Sequence, residues 1–447
     1  MPFLPRFHPA SFVPVSMTAE PIPADPTPGK IQAHRAAFFR QSGWLIVATF
    51  TGGALMLCIH FLSRKIPASE YGIVITLFMV VNFVPTIPFQ SVFAQQTAYA
   101  LAVNRQRQLR STIRAACLGT VLLWLAASAV TLCFQHSIVA ALGLSNPAAL
   151  WLMLVVMLFS LLMPLFAGVM QGAQNFLWLG WANIFNGGCR GLAAVFIVFV
   201  LQGYATGIMT AAFIGLAVAA AVGVWQTRSL WRGPAEPFEH QKFLQQVVPL
   251  MLGFTATQFL FSADTVFVDR YFGADNTAAY GAAGTLSRAL LWAVLPLTTV
   301  MFPKIVHSTA KSETMSLLGV VLLGTAGLVI VGMLGLWFLG PVAIRIVYPH
   351  EYLAPTLVVL PWYAAAMVPL ALANVMVNDL LARSQFRIVP FLVLLAIFYG
   401  LALTRYHDNV VMVLKTLGIF TSLCFAICAW FTWGAKGKVI AGNGRED

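Results

Sequence analysis

Apolar residues run along this chain in blocks close to 20 residues long, divided by short polar or basic connections, and each block is the length that crosses a bilayer once as a helix. A window of about 19 residues places spans near 43–62, 72–94, 113–134, 149–171, 182–201, 206–226, 245–268, 278–301, 315–338, 353–376, 387–404 and 409–433. This predicts an all-α polytopic membrane protein with about 12 transmembrane helices. Composition agrees: 60% of the 447 residues are hydrophobic and 9% charged, against roughly 45–50% and 25% in an average soluble protein. Secreted, disordered and cytosolic-enzyme classes are excluded.

The formal net charge of +12 reads as a topology signal, because Lys and Arg collect in cytoplasmic loops and meet anionic lipid headgroups there. It calls for no nucleic acid. With the N-terminus inside, the cytoplasmic connections hold Arg105, Arg107, Arg110, Arg114, Arg228, Arg232, Lys242, Lys304, Lys311, Arg383 and Arg387 together with the basic residues of both tails. The external ones hold Arg64, Lys65, Arg270, Arg345 and Arg405. The expected site is the inner membrane, with both termini cytoplasmic. The six cysteines all fall within apolar runs, and Cys424 and Cys428 lack the companions a zinc site needs, so no metal or other cofactor is expected.

Residues 1–42 are rich in proline and read as a disordered cytoplasmic tail, with Lys30 to Arg40 either a short basic surface helix or a solvated anchor. The expected organisation continues with an N-terminal six-helix bundle over 43–226, a cytoplasmic linker over 227–244, a C-terminal six-helix bundle over 245–433 and a basic tail over 434–447. The external connections are short. They leave no room for an extramembrane catalytic domain, and no nucleophile motif or phosphate-cradling Gly loop replaces one, so the chain is not read as an enzyme.

The two halves echo each other. Phe61-Leu62-Ser63-Arg64 followed by Tyr71-Gly72 recurs as Phe267-Val268-Asp269-Arg270 followed by Tyr280-Gly281; Pro164-Leu165 and Val169-Met170 recur as Pro369-Leu370 and Val375-Met376; Trp225 matches Trp430. Similar offsets joining equivalent spans point to duplication of a six-span unit. Six is even, so the halves are parallel repeats about an axis along the membrane normal, a plan that puts a substrate site at the repeat interface.

The segments SRKIPASEYG and ADTVFVDRYFGADNTAAYGAAGTLSRALLWAVLPLTTVMFPKI resemble those of the Wzx-like oligosaccharide-lipid flippases and polysaccharide exporters of the MOP superfamily. The resemblance implies two MATE-like six-helix bundles around a central cavity. It also implies flipping of an undecaprenyl-diphosphate-linked oligosaccharide by alternating access, in polysaccharide biosynthesis. The partners implied are that lipid-linked oligosaccharide, membrane lipids, polysaccharide polymerase and export proteins, and a coupling H+ or Na+. The multidrug exporters of the superfamily share the fold, so fold alone does not select the substrate; a polysaccharide ligase or polymerase is a weaker alternative.

Charges inside spans are the sharpest clue to a site, because an Arg at the bilayer centre costs about 2.5–3.5 kcal/mol on insertion scales and faces a partner or a wet cavity. Asn183, Asn186 and Arg190 share one helical face, either lining the cavity or making a helix–helix contact beside Gly187 and Gly188. Arg288, with Trp292 on its face, either grips a diphosphate with its planar fork or pairs structurally with Asp264. Asp264 is accordingly a counter-ion or a protonatable coupling site. Asp269 and Arg270 read as an interfacial pair or a substrate contact. Asn374, Asn378 and Asp379 read as a cytoplasmic entry patch or a solvated helix end. The orientation is checked by cysteine labelling of intact cells: a cysteine at Ser229 should be shielded from an impermeant thiol reagent and one at Asn276 should react, the reverse pattern inverting the topology.

Overall fold

The structure is a computed structural model that describes residues 28–61, 77–78, 81, 86–141, 146–310, 318–347 and 353–434, and it contains no strand among them. The first half runs α1 (Pro28–Phe61), α2 (Thr86–Ala102), α3 (Gln106–Cys133), a short α4 (Gln135–Ala141), α5 (Ala148–Gly172), α6 (Phe176–Val200) and α7 (Ala205–Trp231). The second runs α8 (His240–Ala310), α9 (Leu318–Val347), α10 (Leu353–Ala382), α11 (Val389–Arg405) and α12 (Val410–Ala429), with a 3-10 turn (Phe386–Ile388) before α11 and a π-turn (Trp430–Gly434) after α12. Among the described residues ten helical segments are long and apolar enough to cross a membrane. They correspond to the third to twelfth expected spans. The first expected span falls on α1, which begins at Pro28, inside the segment read as a tail; most of the second, before α2, lies outside the described residues, as do residues 1–27 and 435–447.

α8 is not one straight rod. Asp264 and Tyr280 are 16 residues apart, about 24 Å along a straight helix at ~1.5 Å per residue, yet their side chains bond at 2.6 Å. The chain therefore doubles back between them into two arms, Phe243–Phe272 and Ala279–Thr309.

Three connections at the basic end turn by one device. Asn104, Gln174 and Ser384 all take the left-handed backbone region, with φ of 56°, 57° and 57°. After each, the next residue's N–H reaches back into the preceding helix: Arg105 to the Ala100 carbonyl at 2.8 Å, Asn175 to Met170 at 2.8 Å and Gln385 to Leu380 at 3.0 Å. This is the Schellman pattern, which satisfies carbonyls that a helix end leaves open. At the other end Asn409 caps α12, its side-chain oxygen accepting the Met412 N–H at 2.8 Å.

The linker between halves spans only the residues between Trp231 and His240, shorter than expected, and it is tied down. Arg114 donates to the Trp231 carbonyl at 2.8 Å and the Gly233 carbonyl at 2.7 Å, and Arg110 to the Pro234 carbonyl at 3.1 Å. Two arginines of the densest basic loop thus cap the open carbonyls at the end of α7 and hold the linker against α3.

Within the first half α2 packs on α5 and α6 on α7; in the second α8 packs on α10 and α11, and α10 on α9 and α12. The main contact between halves is α2 against α8. α3 and α9 turn most of their large apolar residues outward, among them Leu118, Leu122, Leu123, Leu323, Val331 and Phe338. That surface suits lipid chains, and these are the third spans of the two expected repeats. Small residues let backbones meet at the tightest contacts: a Cβ on Gly187 would lie 2.1 Å from the Gly52 carbonyl oxygen, and one on Gly168 2.3 Å from that of Gln90. Gly187→Leu should therefore wedge α6 from α1 and cost about 1–3 kcal/mol. Gly188→Ala, whose Cβ meets only Leu55 at 3.6 Å, should be close to neutral; thermal unfolding of the two purified variants in one detergent checks the contrast.

Candidate functional site

A cavity of about 170 Å³ lies between the halves. The first half supplies Ile87, Gln90 and Ser91 from α2 and Gln171 from α5. The second supplies Phe254, Thr257, Gln258 and Phe261 from one arm of α8, Leu291, Trp292, Leu295, Thr298 and Thr299 from the other, and Leu370, Asn374 and Asn378 from α10. These positions fall on single helical faces: Phe254, Gln258 and Phe261 follow the i, i+4, i+7 spacing, as do Leu291, Leu295 and Thr298, while Leu370, Asn374 and Asn378 step by four. Among the described residues the lining carries amides, hydroxyls and aromatic rings and no ionised group.

The in-span charges are held elsewhere. Asp264 is completely buried. Its Oδ1 accepts from Arg288 Nη2 at 2.9 Å, and its Oδ2 accepts from the Tyr280 hydroxyl at 2.6 Å and from the Tyr363 hydroxyl. Arg288 also donates to Thr265 Oγ1 at 2.7 Å, and its guanidinium carbon lies 5.2 Å from the Phe261 ring centre and 5.6 Å from that of Tyr363. Between the two readings of Arg288, this geometry is the ion pair with Asp264. The pair stands directly behind the cavity wall, because Phe261 and Trp292, one turn from Asp264 and Arg288 respectively, are both lining residues.

Arg190 is in the other half and lines no part of this cavity, so the two guanidiniums do not converge on it. It is 7% exposed, and its guanidinium carbon lies 4.5 Å from the Phe78 ring centre, an arrangement that stabilises a cation by about 0.5–2 kcal/mol. The main-chain carbonyl of Asn183 lies against Gly52 on α1, and Asn186 lies against Gly215 on α7 through its main-chain carbonyl and its Oδ1. Arg270 is exposed at the reversal of α8, and the side chain of Asp269 lies outside the described residues. Asp379 is 2% exposed and paired with Arg383 one turn on, at 3.0 Å, rather than solvated. Of the candidates read from the sequence, the cavity brings together Trp292, Asn374 and Asn378.

The charge-led reading missed Gln90, Gln171 and Gln258. A signal was present, since amides inside apolar runs carry a polar cost too, but it is smaller than that of an arginine. Tyr280 and Tyr363 were also missed; Tyr363 is 99 residues from its partner Asp264, and only the fold joins them.

Solved structures share this fold. A MOP superfamily transporter from Pyrococcus furiosus matches with a TM-score of 0.74 and 11% identity over 90% of this chain and 95% of that one; the work describing it speaks of a binding pocket of reversed polarity. A mutant of the Vibrio cholerae MATE transporter VcmN matches at 0.72 and 14% identity over 92% and 98%, and a MATE protein in its straight conformation at 0.71 and 10% over 90% and 95%. No family model matches the chain, and no curated protein matches it in sequence. The chain is a multi-pass helical membrane protein with the fold of the MOP superfamily.

Removing one partner of a buried charge pair strands the other, at a cost of about 3–5 kcal/mol. Asp264→Asn should therefore lower the thermal midpoint in detergent sharply, and Asp264→Asn with Arg288→Gln should recover part of it. Tyr280→Phe, which removes one hydrogen bond to a charged group, should cost about 1.5–3 kcal/mol.

Proposed function

We infer that the chain moves an undecaprenyl-diphosphate-linked oligosaccharide across the inner membrane by alternating access of the cavity between its halves, with both termini in the cytoplasm. The observation that carries this reading is the lining. Three glutamines, two asparagines, Ser91 and three threonines offer donors and acceptors of the kind that pair with sugar hydroxyls, and the half-exposed Trp292 offers a flat apolar face to a sugar ring. A site for cationic drugs calls for an acid in the wall, and among the described lining residues there is none. In this reading Trp292 is the stacking platform, Gln258, Asn374 and Asn378 fix the ring's orientation, and the exposed Arg105 and Arg107 at the basic end meet the diphosphate on its way in.

A second reading, an ion-coupled multidrug exporter, draws support from two features: the aromatic share of the same wall, Phe254, Phe261 and Trp292, and a buried acid. Asp264 is a protonatable group at membrane depth, and such residues mark proton relays in carriers. Proton coupling is compatible with either substrate.

The test is polysaccharide export in the native cell, read with surface abundance of the protein held equal. Trp292→Ala should reduce export at least about tenfold and Trp292→Phe much less, since stacking is retained and only the indole N–H is lost. Unimpaired export in Trp292→Ala would remove the cavity from the transport path.

A further inference from the structure

Between the cavity and the basic loops, the halves are joined by side-chain amides. Gln95, 5% exposed, donates from Nε2 to the Leu381 carbonyl at 3.1 Å and to Ser384 Oγ at 3.3 Å. Gln96 donates to Gln246 Oε1 at 2.9 Å, and Gln171, also 5% exposed, donates to the Thr299 carbonyl at 3.0 Å. Every donor belongs to the first half and every acceptor to the second. The ion pairs Arg288–Asp264 and Arg383–Asp379 both lie within the second half. These amide bonds break easily, because a neutral hydrogen bond exchanged for one to water or to a ligand hydroxyl changes little in net free energy.

Gln171 differs from the other two because it also belongs to the cavity wall, beside Thr299. Its Oε1 accepts from Gln90 Nε2 at 2.9 Å, and Gln90 is a lining residue as well. One amide is thus engaged on the cavity side by Gln90 and across the halves by Thr299. A polyhydroxylated ligand seated there competes for the same donors and acceptors.

We propose that Gln171 couples occupancy of the cavity to opening of its basic end: sugar hydroxyls that take over the Gln171 amide release the Thr299 carbonyl, and the rest of the seal, with Gln95 and Gln96 in it, loses that bond. This rests on the saccharide reading for the identity of the ligand, but not for the bond between the halves. Gln171 is a positioning residue, acting on the seal through the groups it binds.

The seal is read without transport by a reporter pair. In full-length protein freed of its own cysteines and reconstituted in liposomes, Gln96→Cys and Gln246→Cys should be bridged efficiently by a short bifunctional thiol reagent, which restores the reach of the two amides that meet at their tips and that a direct disulfide lacks. Adding Gln171→Leu should lower the crosslinking rate about two- to tenfold, the effect of losing one net hydrogen bond. Gln171→Met, of similar length and without the amide, should do the same, which separates loss of the bond from loss of the fold. Undecaprenyl-diphosphate-glucose in the bilayer should lower the rate in the Gln171 background and have no further effect in Gln171→Leu, whereas undecaprenyl phosphate should leave it unchanged. Undiminished crosslinking in both Gln171 variants would overturn the role of Gln171 whatever is carried. Slower crosslinking in the variants with no response to the lipid-linked sugar in the parent would overturn the saccharide reading and, with it, the coupling, while leaving the bond between the halves standing.

Discussion

A carboxylate with no exposed surface inside a membrane protein is tolerated only if its lone pairs and its charge are both answered, and at Asp264 the answer comes from two chain segments besides its own. Arg288 and Tyr280 reach it from the returning arm of α8, and Tyr363 from α10. This one acceptor ties the first arm of α8 to the returning arm and to α10, beside the Thr356 hydroxyl of α10, which donates to the Ala279 carbonyl of the returning arm at 3.4 Å. Those three segments form the second-half wall of the cavity, and Phe261, Trp292 and Asn374 stand on the three segments that Asp264 joins.

The same arrangement decides what the cavity offers. Arg288 stands one turn from Trp292, but its charge is spent on Asp264 and its faces lie over Phe261 and Tyr363. Arg190 is sequestered over Phe78 in the other half. With neither guanidinium in the wall, what the lining presents is neutral amides, hydroxyls and aromatic rings, groups whose bonds fit hydroxyl-rich sugars under the proposed function and that water can replace at low cost. The bonds of Gln95, Gln96 and Gln171 that join the halves toward the basic end are of the same amide chemistry, which is what would let a ligand compete with closure in the proposed coupling. Cavity and closure meet in Gln171.

The spans were legible because hydropathy over about 20 residues is a long, redundant signal, and ten of them stand as helices among the described residues. The polar site was legible only in part. Arg288 and Asp264 declared themselves by the cost of charge at membrane depth, and that cost is met here by the pairing of one with the other. Pattern alone leaves the choice between pair and ligand contact open, since both satisfy the same penalty. Gln171 and Gln258 carry less penalty and stood out less. Tyr363 looks like any apolar aromatic until the fold brings it to Asp264. The turns at Gln174 and Ser384 were hidden for a different reason: neither is a glycine or an asparagine, the residues that usually advertise a left-handed backbone.

The proposed function has the neutral cavity carry a lipid-linked saccharide and not a cation. The most direct measurement is translocation by the purified protein in proteoliposomes, following a fluorescent undecaprenyl-diphosphate-linked oligosaccharide between leaflets alongside ethidium as the competing cargo. The lipid-linked oligosaccharide should exchange leaflets in a manner that depends on Trp292, with no ethidium movement above that of empty liposomes. Ethidium transport by a protein that leaves the lipid-linked oligosaccharide in its original leaflet would contradict the proposed function.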